Sequence, residues 1–177
     1  MKKIKTTLLI TLLIILSGCR DSGGFYPDYL PPDPGEAGKA ALEGVDSNNN
    51  GFRDDIERAA YRLFPDNQDY QKAINLASVI DTRLMLAGEK GDFNEAFQLI
   101  EYFFHAKTCV SKTIFNLNID KKVNDLNFVD ILDFIKKENY NTYQRRKALD
   151  KFGELMDGQQ LGVIVKEDAC ELIEKSM

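Results

Sequence analysis

Apolar residues recur at intervals of three and four along most of the chain, the spacing that gathers them on one side of an α-helix. Ile56, Ala60, Leu63 and Phe64 share one such face, which Pro65 closes because it cannot continue a helix. Tyr70, Ala73, Ile74, Ala77, Ile80 and Leu84 form the next stripe, predicting a helix from Asp69 to Ala87 with Gly88 as its stop. Asp92 and Glu95 are spaced as a capping box. They open the longest periodic segment, in which Phe93, Phe97, Ile100, Phe103, Phe104, Val110, Ile114 and Leu117 face the expected core. A helix beginning at Asp125 carries Leu126, Val129, Leu132 and Ile135. Another, from Asn141 or Thr142, carries Tyr143, Leu149 and Phe152 and ends before the turn at Asp157-Gly158. In the final segment Leu161, Ile164, Val165, Ala169, Leu172 and Ile173 fit helical spacing, although Gly162–Val165 also reads as a short strand. No period-two alternation appears elsewhere. The expected fold is all-α, a domain of five to six helices over residues 36–177, entered through one or two weak turns in Gly35–Gly44.

The first nineteen residues follow a different logic. Lys2, Lys3 and Lys5 precede an apolar run from Leu8 to Leu16. That run is shorter than the roughly 20 residues a membrane span needs, so residues 1–18 read as an export signal. Its end, Leu16-Ser17-Gly18-Cys19, resembles the lipobox of bacterial lipoproteins. The resemblance implies that Cys19 is acylated and becomes the mature N-terminus, anchoring the protein in the cell envelope. Arg20 rather than Asp after that cysteine points toward the outer membrane. The competing reading is an ordinary secretion signal with an incidental cysteine. Residues 20–35 then hold four prolines and three glycines, the composition of a tether. Phe25, Tyr26 and Tyr29 within it either dock on the domain or a partner, or are merely sticky linker residues.

Removing residues 1–18 takes away three of 23 basic residues and none of 28 acidic ones, leaving a net charge of −8. Such a surface is a poor match for nucleic acid. The local basic run of Lys136-Lys137 and Arg145-Arg146-Lys147 reads as a solvated helix face rather than an anion site. With Cys19 lipidated, Cys109 and Cys170 form an even pair. Export favours a disulfide between them over two buried thiols.

The densest chemistry lies in Asp46–Glu57, DSNNNGFRDDIE. Ca²⁺ takes six to eight oxygens, and a twelve-residue loop can supply them from positions 1, 3, 5, 7, 9 and 12. Those positions hold Asp46, Asn48, Asn50, Phe52 (through its carbonyl), Asp54 and Glu57, with Gly51 at the sharp sixth position. The stretch resembles an EF-hand-type calcium loop, and the resemblance covers these twelve residues alone. Arg53 stands where paired hands carry an aliphatic residue. The only candidate second loop, Asn116–Asn127, fails, having Lys121 for the glycine and Asn127 for the closing acid. The chain is therefore closer to the single loops of dockerin or thrombospondin type-3 repeats. The plainer alternative is an Asx-rich turn feeding an acidic helix start. Three carboxylates and two amides imply weak binding, on the order of 10⁻⁴–10⁻³ M, a stabilising rather than signalling affinity.

Little else suggests catalysis. His105, the only histidine, falls on the face shared by Gln98, Glu101, Thr108 and Lys112 and is expected to be solvated. No glycine-rich phosphate loop is present. Tyr102, Phe103 and Phe104 exceed what one helix face buries, leaving either aromatic surface for a protein partner or, preferably, a wide core contact. The leading expectation is a non-catalytic, calcium-stabilised binding or structural module. An immunity-type inhibitor of a toxin comes second. A metal-assisted hydrolase comes last, because a saturated calcium loop leaves little room for substrate.

Overall fold

The computed structural model describes residues 27–118, 120–160, 162 and 166–177. The signal segment, Cys19, Arg20, Phe25, Tyr26, Leu161, Ile164 and Val165 lie outside the described residues, as does most of the alternative strand. A three-residue 3-10 turn, Ala37–Lys39, precedes six helices. These are α1 (Asp54–Leu63), α2 (Gln68–Lys90), α3 (Phe93–Phe115), α4 (Phe128–Asn139), α5 (Tyr143–Leu155) and α6 (Ala169–Glu174). Among the described residues there is no strand, only an isolated bridge between Val123 and Leu126. The domain is all-α.

Helix α2 is the axle. It packs against α1, α3, α4, α5 and α6, and Ala73, Ile74, Leu76, Ile80, Leu84, Met85 and Ala87 are all nearly inaccessible. A helix surrounded by neighbours must be apolar on most sides, which explains why its pattern exceeds a single stripe. Side chains begin the helices: Asn67 accepts from the Tyr70 N–H, Asp92 from Glu95, and Thr142 from Arg145. Asn127 and Asp130 complete a reciprocal capping box. Helix α4 thus starts at Phe128, three residues later than the spacing predicts, because Asn124 and Asp125 adopt positive φ in the turn before it. The stop of α2 also differs from expectation. The helix runs through Gly88 and ends at Gly91, whose left-handed φ of 68° suits a glycine cap. Gly88 serves closeness instead: a Cβ there would come within 2.5 Å of the Ala148 carbonyl and 2.6 Å of the Phe152 nitrogen on α5.

Helix α3 keeps Ile100, Val110 and Ile114 in the core as expected but is partly rotated from its expected orientation. Phe93 and Phe97 are 39% and 44% exposed and lean on each other, while Ala96, Leu99, Ala106 and Cys109 are enclosed. Small residues allow α3 to approach α2 and α6 closely, and that contact outweighs seating the largest rings. Leu117 also ends outside, beyond the left-handed cap Asn116, and Val129 and Tyr143 are exposed. His105 also lies inside. It is 1% exposed, and its Nε2 accepts from the Lys166 N–H at 3.2 Å. Cys109 on α3 and Cys170 on α6 form a disulfide, so the short last helix, with Ala169 and Ile173 buried, is covalently fixed to the core.

Residues 29 and 31, within the stretch expected as a tether, touch the domain. The Tyr29 ring meets Tyr61 edge-on at 6.5 Å, and its hydroxyl donates to Gln71 Oε1 at 3.4 Å. Arg58 donates to the Pro31 carbonyl at 3.1 Å. Arg145, expected in a solvated basic face, is instead fully buried. Its guanidinium donates to the carbonyls of Gly38, Ala41 and Leu42 and to Asn141 Oδ1. Lys136, Lys137, Arg146 and Lys147 are exposed as expected.

Candidate metal centre

The loop between the 3-10 turn and α1 is folded by its own polar side chains. Asp46 accepts from the Asn50 N–H through Oδ1 (3.2 Å) and from the Gly51 N–H through Oδ2 (2.9 Å). Asn48 Oδ1 also accepts from Asn50 N, and Asn50 Oδ1 from Phe52 N. Asp54 Oδ1 accepts from Ser47 N at 3.0 Å, while Asp54 N donates to the Val45 carbonyl at 2.8 Å. Gly51 turns the chain with φ 87°, a conformation that side-chain-bearing residues rarely adopt. The Phe52 ring packs against the core, fixing the loop to the domain.

Of the predicted ligands, Asn50, Asp54, Asp46 and Asn48 all act on the Glu57 carboxyl, Asn50 by direct contact. Glu57 Oε1 accepts from Asn50 Nδ2 at 2.8 Å. Burial holds its carboxyl above the usual carboxylate range. The Asn50 hydrogen bond opposes that shift, the charges of Asp54 and Asp46 reinforce it, and a hydrogen bond from Asn48 also opposes it. The sixth, Phe52, would offer only its main-chain oxygen. Asp54 is fully buried and Glu57 nearly so. Among the described residues, Asp54 Oδ2 and Glu57 Oε2 lack a hydrogen-bond partner, as does Oδ1 of Asn75, a residue that lines the cleft beside Glu57, Asn50 and Phe52. Buried carboxylate oxygens without partners are costly. Among the described residues, no three His, Cys, Asp or Glu side chains stand close enough together to form a metal cluster by themselves. The loop's donor set is mixed, with two amides and one carbonyl beside three carboxylates. Such an all-oxygen set, with unpaired buried oxygens, fits a hard divalent cation.

Arg53, at the eighth position, does what no aliphatic residue could. Its guanidinium clasps Asp55 (Nη2–Oδ2 2.6 Å, Nε–Oδ1 3.0 Å) and reaches the Asn139 carbonyl and Oδ1, both at 3.4 Å. Asn139 Nδ2 in turn donates to Asp81 Oδ2 at 3.2 Å, and the Tyr140 hydroxyl is bonded to Asp81. Burial pushes the Asp81 carboxyl up to about 7, against the pull of Tyr140, Lys107, Asn139 and Lys136. Arg145 lies 3.8 Å from Asp55, and burial and the neighbouring Arg53 lower it to about 10, so it stays charged at neutral pH.

Asp81, Asn139 and Tyr140 escape a reading of apolar positions alone, and Arg145 reads as surface, yet spacing marks both Asp81 and Arg145. Asp81 shares a face with Ile74, Ala77 and Leu84, and Arg145 one with Ala148 and Phe152. No protein-family model, curated protein or solved structure matches the chain.

Proposed function

We propose that the chain is an exported, lipid-anchored envelope protein whose helical domain is a non-catalytic binding or structural module stabilised by one Ca²⁺. The ion's ligands are Asp46, Asn48, Asn50, the Phe52 carbonyl, Asp54 and Glu57. The observation that carries this reading is the pair of buried carboxylates, Asp54 and Glu57, each with an oxygen that has no hydrogen-bond partner among the described residues. A bound cation supplies positive charge to that pair and relieves its mutual repulsion. The Asn50 amide would give up its bond to Glu57 as the carboxylate turned to the metal. Because Asp54 and Glu57 begin α1, the ion pins the loop to that helix. The Cys109–Cys170 disulfide agrees with an oxidising compartment. His105, enclosed and already accepting from Lys166 N, is poorly placed for chemistry on a solvent-borne substrate.

Thermal melts in EDTA and in 10 mM CaCl₂ test the calcium reading. With a dissociation constant on the order of 10⁻⁴–10⁻³ M, the ion adds roughly 1–3 kcal/mol. That raises Tm by about 3–10 °C for a domain of this size. Glu57→Gln should remove the shift. Equal melts with and without calcium, in both proteins, would discard the metal.

A further inference from the structure

A cleft of about 430 Å³ opens between α2, α3, α4 and α5, on a different part of the domain from the calcium loop. Its walls are apolar, with Leu84, Ile100, Phe103, Leu132, Leu149 and Phe152 facing the space. That volume lies within the range of small-molecule sites, which pair apolar walls with a few placed polar groups. Here the polar groups are Asp81, 8% exposed, and Tyr140, 9% exposed. Asp81 is held by donors from beyond its own helix: Asn139 Nδ2 and the Tyr140 hydroxyl. Among the described residues it forms no ion pair.

We propose that this cleft binds a small amine with an apolar body, whose ammonium group pairs with Asp81 while its hydrocarbon or aromatic part fills the space between α3, α4 and α5. Lys107 and Lys136 act on the Asp81 carboxylate without pairing with it, and an ammonium delivered by a ligand would pair with it directly where water cannot screen the contact. The other charged groups around the cleft are Lys107 on α3 and Asp133 and Lys136 on α4. Lys107 Nζ sits 4.1 Å over the Phe103 ring, and Lys136 is exposed beside Asp133. An anionic ligand would find Lys136, which is exposed and pairs weakly in solvent, and the half-buried Lys107, already seated over Phe103, and it would be repelled by Asp81. The buried Asp81 carboxylate therefore favours a cation. This inference stands apart from the calcium reading and survives its failure.

A matched series decides it: 3-phenylpropylamine, 3-phenylpropan-1-ol and 3-phenylpropanoate, titrated calorimetrically into the purified protein at pH 8. The amine should bind at least tenfold tighter than the alcohol, and the carboxylate should bind weakest. Asp81→Asn should erase the preference for the amine to within threefold. Because that variant alters a buried residue, Lys136→Glu provides a check that leaves the core untouched. It should tighten amine binding several-fold, whereas a site built for anions would lose the carboxylate. Tightest binding by the carboxylate, equal binding of all three, or no binding of the amine up to 10 mM would each overturn the proposal.

Discussion

Reduction of the Cys109–Cys170 bridge is the most quantitative test of how the domain holds its last helix. The bond joins residues 61 positions apart. In the chain-entropy picture, closing a loop of that length removes about 14 cal/mol/K from the unfolded chain, or roughly 4 kcal/mol at 25 °C. Helix α6 has six residues, too few to hold its shape alone. Its buried contacts are mainly Ala169 and Ile173. The bridge should therefore matter both globally and locally. At about 2–4 °C per kcal/mol for a domain of this size, the reduced protein should melt roughly 10–15 °C below the oxidised one. Calorimetry with and without reductant, in millimolar calcium so that the loop is held constant, measures this. The Cys109→Ala/Cys170→Ala protein should melt close to the reduced wild type. Hydrogen exchange should show α6 amides losing protection first. A difference below 3 °C, with both thiols confirmed free by chemical titration, would mean that the non-covalent packing of α6 suffices and the loop-closure reasoning fails.

Two further outcomes follow from particular side chains. Asp81 has a folded-state pKa near 7 against an ordinary value of 3.8, so its protonated form stabilises the fold. That contribution is complete below about pH 4 and is lost as pH rises to 7. Across pH 5.5–7.5 wild type should lose about 2 kcal/mol relative to Asp81→Asn, read as the difference between their urea midpoints; parallel curves would refute the assignment. Cys19→Ser should move the protein expressed in a bacterial host from the detergent-extracted membrane fraction to the soluble one. An unchanged distribution would argue against the anchor.

Helix number and order were legible in the sequence because apolar spacing records which side of each helix meets its neighbours. The sharp turn at Gly51 was legible because glycine tolerates its positive φ and the Asx side chains around it bond the nearby backbone. The rotation of α3 was not legible from its large residues: Phe93 and Phe97 advertise a face that the molecule leaves outside, whereas Ala96, Ala106 and Cys109 mark the real contact. His105 reads as solvated for a different reason: its cover comes from residue 166, some sixty positions away. Gly88 resembled a helix stop because glycine is ambiguous in one dimension, and only the backbone of α5 behind it reveals a packing role. Arg145 reads as surface in the sequence because three of its partners are main-chain carbonyl groups, which every residue possesses and no sequence pattern displays.

That last feature sets an asymmetry of tolerance along the chain. Arg145 grips the entry strap by its amide oxygens at positions 38, 41 and 42, not by any side chain there. Exposed neighbours such as Lys39 and Ala40 can therefore be exchanged without loosening the grip. The arginine has no such latitude: lysine carries one ammonium where a forked guanidinium now serves four acceptors. A library randomised over both segments should thus return a permissive strap and an almost invariant clasp.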